Sequence, residues 1–131
     1  GFFGVSGAPH SPMRTPYEIS EEEITRRILR GYKDVAGAAV KVFVPHVPPF
    51  GTRVDITHSG IHAGSSAVRD FVEDEEPDVV ICGHIHEARG QDRVGRTKIV
   101  NSGPASKGFY AVIEIAAGLE IHNHQMFNLA I

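Results

Sequence analysis

The chain has 131 residues, enough for one ordinary domain that buries about two-thirds of its unfolded surface. With 41% hydrophobic and 22% charged residues, it has the composition of a globular protein, which excludes disorder, collagen-like repeats and low-complexity linkers. Thirteen basic against sixteen acidic side chains give a net charge of −3, which argues against non-specific nucleic-acid binding but leaves room for a small phosphorylated ligand.

No apolar run approaches the roughly 20 residues of a membrane span, so no membrane partner is expected. The first residues lack a basic stretch followed by an apolar one, so no secretory signal is expected either. Cys82 is the single cysteine and permits no internal disulfide, which suits a reducing, cytoplasmic location. Gly1 stands where a methionine would open a gene, and an apolar segment follows at once. The chain is therefore expected to be part of a longer protein.

Phe2–Val5 is short, apolar and flanked by glycine, as at a strand end, and runs into the Pro/Ser/Gly-rich loop Gly7–Pro16. A helix should follow. Ser20 is a suitable N-cap with Glu23 three positions on, and Ile19 and Ile24 stand where a hydrophobic staple needs them. Ile24, Ile28, Leu29 and Tyr32 recur at helical spacing on its inner face, Glu21, Glu22, Arg26 and Arg27 lie opposite, and Gly31 and Gly37 mark its exit. Ala39–Val44 reads as a buried strand, stopped by Pro45-His46-Val47-Pro48-Pro49.

From Phe50 to Gly64 there is no periodicity, and a loop that long inside a compact domain is usually functional. A second helix starts near Ser65 or Ser66, turns Val68, Phe71 and Val72 inward, and should dissolve in the acidic run Glu73–Glu76. Asp78–Cys82 is a second buried strand, followed at once by a glycine and histidines. Beyond Gly90 short strands alternate with turns: Asp92–Gly95 with Thr97–Val100 as a hairpin, then Gly108–Ile115, then Leu119–Phe127 after the turn at Ala117-Gly118. The pattern predicts an α/β layered fold whose last strands form a second, partly antiparallel sheet.

Eight histidines are present, six of them in close pairs: His58 with His62, His84 with His86, and His122 with His124. The strongest local signal is Cys82-Gly83-His84-Ile85-His86-Glu87, because a buried strand ending in a glycine and two histidines puts imidazoles in the crevice where open α/β sheets collect ligands. Neutral imidazole is the commonest ligand of transition metals. His46 ends the neighbouring predicted strand in the same way, so three histidines are expected at adjacent strand mouths. The other pairs are weaker. His122 and His124 should decorate a solvated face, Ser59-Gly60 speaks against a zinc-binding helix through His58 and His62, and His10 sits in a loop without a role. Cys82 is most simply a small buried hydrophobe.

In order and spacing, Val44-Pro45-His46-Val47-Pro48-Pro49, Gly83-His84-Ile85-His86 and Asn101-Ser102-Gly103-Pro104 resemble the C-terminal half of the calcineurin-like metallophosphoesterases, and the likeness spans nearly the whole chain. The resemblance implies the α/β/β/α sandwich of metal-dependent phosphatases, with residues 1–131 as the C-terminal portion of one domain. It implies two divalent ions, manganese, iron or zinc, and hydrolysis of phosphomonoesters or phosphodiesters by a metal-activated hydroxide. Position by position, His46 and His84 match ligands of one metal and His86 a ligand of the other. Asn101 and Gly103 match a structural turn beside the active site, and Arg53, Asp55, His58 and His62 lie in the loop that borders the substrate.

The family pattern also has an Asp-x-His, a Gly-Asp-x-x-Asp/Asn and a Gly-Asn-His-Asp/Glu, none of which occurs in this chain. Those motifs carry the bridging carboxylate, the remaining ligands and the histidine that protonates the leaving group. The chain alone is therefore expected to be inactive, and to be found with its N-terminal half or self-associated. Two alternatives stand beside this reading: a non-catalytic interaction scaffold on the same fold, and a mononuclear cupin-like protein. The second is disfavoured by Gly90 and Gln91 at the places of its glutamate, and by the two helices.

Overall fold

In the computed structural model, which describes residues 1–12, 14–116 and 118–125, seven strands and two α-helices build three layers. The central sheet has the order β1 (Phe2–Val5), β2 (Val42–Pro45), β3 (Val79–Cys82), β5 (Thr97–Asn101), β4 (Gly90–Val94). The first four are mutually parallel and β4 closes the edge antiparallel to β5. Helices α1 (Glu21–Tyr32) and α2 (Ser66–Glu75) are the crossovers of the β1–β2 and β2–β3 units, and they pack together on one face of the sheet. A hairpin of β6 (Phe109–Glu114) and β7 (Glu120–Gln125) forms the second sheet. The expected turn residue Ala117 and the end of the last predicted strand, 126–127, lie outside the described residues.

Period-two alternation sorts the strand side chains into two cores. Phe3, Val5, Phe43, Val80, Cys82 and Ile99 face the helices and meet Ile24, Ile28, Val68, Phe71 and Val72. Phe3 stacks on Phe43 at 4.8 Å between ring centroids, and Phe71 meets Phe43 edge-on at 5.0 Å. Val42, Val79 and Val100 face the other way, toward Ile121 and the half-buried Ala111, Ile113 and Leu119 of the hairpin. The hairpin leaves the β1 side of that face open, where Phe2 is 72% and Val44 42% exposed.

The helix signals translate into atoms. Ser20 Oγ accepts from Glu23 N at 3.1 Å, as an N-cap should. The return half of the capping box is not made, because the Glu23 carboxylate instead accepts from Arg26 and, at 2.9 Å, from Arg27. Leu29, expected inside, is 51% exposed, since it lies one residue, about 100° of helix, beyond the buried Ile28. Glu21 ties the two helices together: its Oε2 accepts from Ser65 Oγ and Ala67 N at 2.7 Å each, at the start of α2. The helix ends within the acidic run, as expected: it reaches Glu75, with Glu73 paired to Arg69 at 2.5 Å, and stops at Glu76 with φ 44°.

The expected hairpin of β4 and β5 forms around Gly95, yet it belongs to the parallel sheet and not to the second one. Hydrophobic alternation sets which faces of β5 are buried, and both faces are: Ile99 in the helix-side core and Val100 in the other. Only the tertiary neighbour β3 decides which sheet receives it.

Candidate metal centre

All four parallel strands end at one edge, in Val5, Pro45, Cys82 and Asn101. Side chains that follow strand ends in such a sheet collect at that edge. Pro45 has no N–H to give the ladder, and the chain leaves β2 there with His46. Gly83 N donates to His46 O at 3.0 Å, which holds the two departing loops side by side.

His84 then adopts φ 64°, the left-handed region that costs a residue with a Cβ about 1–2 kcal/mol. Strain of this kind persists where the surroundings over-determine it, and it clusters at functional sites. Its consequence is that the imidazole turns toward His46. A hydrogen bond joins His46 Nε2 and His84 Nδ1 at 3.0 Å, with ring centroids 4.8 Å apart and planes at 64°. Burial first, then the neighbouring charges of His46 and His86, push the His84 pKa below its ordinary value against the opposing pull of Glu18. That keeps the ring neutral, with a lone pair to offer.

The donor pair fits a divalent ion. Two imidazole nitrogens bound at about 2.0–2.1 Å and subtending roughly 90–110° at one ion lie about 2.9–3.4 Å apart, a range that contains the observed 3.0 Å. The set is incomplete, however. Among the described residues no three His, Cys, Asp or Glu side chains are grouped so that they could hold a metal by themselves. His86 opens a short 3₁₀ turn, His86–Ala88, and is exposed; its charge reaches His84, but its ring is not part of the pair.

The turn residues serve as a brace. Asn101, completely buried, donates through Nδ2 to Ile85 O at 2.8 Å and to Val54 O at 3.3 Å, and its Oδ1 accepts from Gly103 N at 3.1 Å. One amide thus joins the histidine turn to the long loop. Gly103 has φ 82°, and a Cβ there would lie 2.7 Å from the Arg89 side chain.

The loop residues go to different places. Arg53 is drawn toward β4, where its N–H donates to Asp92 Oδ2 at 2.8 Å. His58 N donates to Glu87 Oε2 at 3.2 Å, beside the histidine turn. His62 Nδ1 meets Asp55 Oδ1 at 2.5 Å. Asp55 is fully buried and also accepts from Gly51 N, Thr52 N and Gly64 N at 2.9, 3.1 and 3.0 Å. It is the organiser of the whole loop, a role the amino-acid pattern does not distinguish from that of its neighbours. Cys82 is buried, and burial pushes its thiol up to about 12, so it is an inert packing residue.

Glu18 carries no signal in the sequence, yet it closes the first loop. Its Oε2 accepts from Ser11 Oγ, Thr15 Oγ1 and Thr15 N, each at 2.9 Å, and these bonds, led by that from Ser11, bring its pKa down to about 2 from 4.5. A carboxylate with a depressed folded pKa contributes stability above its unfolded value and loses it as pH falls through the folded one. The loop 8–19 is therefore expected to stay closed down to pH 4.5 and to loosen progressively as the pH approaches about 2. Amide exchange of Ala8 and Ile19, which hydrogen-bond across the base of this loop, measured against pH would check it; protection unchanged down to pH 2 would contradict it.

Residues 7–126 match the family model of the metallophosphoesterases of the calcineurin superfamily. The chain belongs to this family. An uncharacterized protein of Methanocaldococcus jannaschii is 36% identical over 113 residues, 83% of this chain and 50% of that protein. One crystal structure superposes on this metallophosphoesterase chain with a TM-score of 0.75 at 25% identity, over 95% of this chain and 48% of the other. That of the Thermus thermophilus protein TT1561 does so with a TM-score of 0.56 at 16% identity, over 95% and 53%, a likeness of fold alone. The chain thus spans about half the length of the relatives it matches. No helix among the described residues is long and apolar enough to cross a membrane.

Proposed function

We propose that this chain is the C-terminal portion of a dinuclear metallophosphoesterase domain that hydrolyses phosphomonoesters or phosphodiesters. The observation that carries the reading is the pair His46 and His84, whose ring nitrogens face each other at 3.0 Å across two loops that leave adjacent parallel strands. In this reading both bind one ion and His86 a second. When bound, two such ions lower the pKa of a bridging water and hold the phosphate oxygens. The chain's own residues do the rest. His84 stays neutral by burial, Asn101 and Gly103 hold the histidine turn against the long loop, and Asp55 keeps that loop's backbone in place.

The remaining ligands are proposed to come from a segment packed on the open face of β1 and β2, either the N-terminal half or a second copy. That face carries the exposed Phe2 and Val44, and a cleft of about 600 Å³ on it is lined by Gly4, Val44, Ile81, His46 and Gly83. The apolar cleft therefore runs up to the candidate ligand itself, where a packed segment could add donors. We propose a cytoplasmic location on the single cysteine and the cysteine's unreactive setting.

The test is metal analysis and a phosphoesterase assay of the full-length protein beside residues 1–131 alone. The expected result is about two divalent ions per full-length molecule with hydrolysis of a generic aryl phosphate, and loss of hydrolysis in the isolated chain. A full-length protein without bound metal or hydrolysis would instead favour an interaction scaffold.

A further inference from the structure

Next to the histidine turn lies a groove of about 540 Å³, within the range of small-molecule sites. Ser11 and Pro12 of the first loop contribute to it, as do His58, Ile61 and Ala63 of the long loop, and Glu87. The long-loop side is tied to the candidate centre, for His58 N donates to Glu87, the residue after His86, and the first-loop side is fixed by Ser11 Oγ donating to Glu18.

The groove is built and not incidental. Thr57 N donates to Ile61 O at 2.9 Å, Gly60 N to Thr57 O at 2.9 Å, and Ile61 N to Thr57 Oγ1 at 3.2 Å. Gly60 supplies the φ of 80° that this turn needs. The turn holds Ile61 62% exposed. A lone exposed isoleucine is ordinary; one held beside Pro12 and Ala63 makes an apolar seat. The hydroxyls around it are already engaged, Ser11 with Glu18 and Thr57 with Ser59 at 3.0 Å. The Glu87 carboxylate is likewise engaged, accepting from His58 N at 3.2 Å.

We infer that this groove receives the flat apolar group esterified to the phosphate, an aryl or nucleobase-type ring, while the phosphate lies at the histidine centre. The inference rests on the phosphoesterase reading and names its substrate class. A polyol would find its hydroxyls unmatched against Pro12, Ile61 and Ala63, whereas a ring buries its faces there and can stack on the His58 imidazole.

Calorimetric titration of the full-length, manganese-loaded protein with phenyl phosphate and with glycerol 3-phosphate tests it. The aryl ester should bind about tenfold more tightly, the discrimination an apolar pocket supplies, and Ile61→Asp should erase the preference; Pro12→Glu carries the same expectation should Ile61→Asp disturb folding. Equal affinity for the two esters, no binding of the aryl ester, or a preference that survives both variants overturns the groove. Preferential binding of phenyl phosphate without its hydrolysis supports the groove and sinks the hydrolase reading, so the two failures are distinguishable.

Discussion

Replacing His84 with alanine in the full-length protein is expected to cut phosphoesterase activity by more than about 100-fold and to release one of the bound ions. Losing a mere outer-shell partner of a metal ligand costs about 10–100-fold, and a ligand itself should exceed that range. The backbone supplies a second, independent signature. At φ 64° alanine keeps the steric penalty of the left-handed region, whereas glycine removes about 1–2 kcal/mol of it and returns roughly 0.5–1 kcal/mol through the unfolded chain's freedom. In the absence of metal, His84→Gly should therefore be as stable as the unaltered protein or slightly more so, while being equally inactive. His46→Ala should share the metal loss without that compensation. Urea unfolding of metal-free protein together with elemental analysis separates the cases. Full metal content in either histidine variant would remove the reading of this pair as ligands.

Asp55→Ala is expected to have the largest effect on the fold, about 4 kcal/mol of lost stability. The carboxylate accepts from three backbone N–H groups and from His62 while fully buried. Each donor left without a partner costs about 1–3 kcal/mol, partly recovered where water enters beside the half-exposed His62. Against a total of about 5–15 kcal/mol, that loss is a large share. Asp55→Asn should be milder in shape but still costly, since its amide group would point hydrogens at backbone donors. A fall of less than about 1 kcal/mol in the unfolding free energy of Asp55→Ala would show that the loop is held by other means. Gly64 explains why the loop has no alternative route: a Cβ there would lie 2.6 Å from Pro48 O and 2.8 Å from Asp55 Oδ2. The chain must pass that close for the carboxylate to reach its donors.

Much of the local architecture is legible in the amino-acid order. Ser20 and Ser65 announce their helices because a side-chain acceptor at an N-cap acts over three residues. The strands β2 and β3 are readable as short apolar runs that end in proline or glycine, and the histidines that follow them are placed by the rule that parallel strands deliver their loops to one edge. Leu29 is misplaced by its spacing because a residue one step past a buried one can lie on either side of the boundary. Glu18 is silent in the sequence because its partners Ser11 and Thr15 lie in a loop without periodicity, where only the closed geometry brings hydroxyls to a carboxylate.

What the amino-acid order alone determined is the set of elements, the family likeness and the positions of His46, His84 and His86 just beyond strand ends, since caps, alternation and proline stops act within a few residues. Tertiary structure alone decided that β5 joins the parallel sheet, that His46 and His84 face each other while the exposed His86 is not part of the pair, and that Asp55 rather than its neighbours anchors the loop. These depend on contacts between residues far apart in the chain, such as Asn101 with Val54 and Ile85, whose geometry no local spacing encodes.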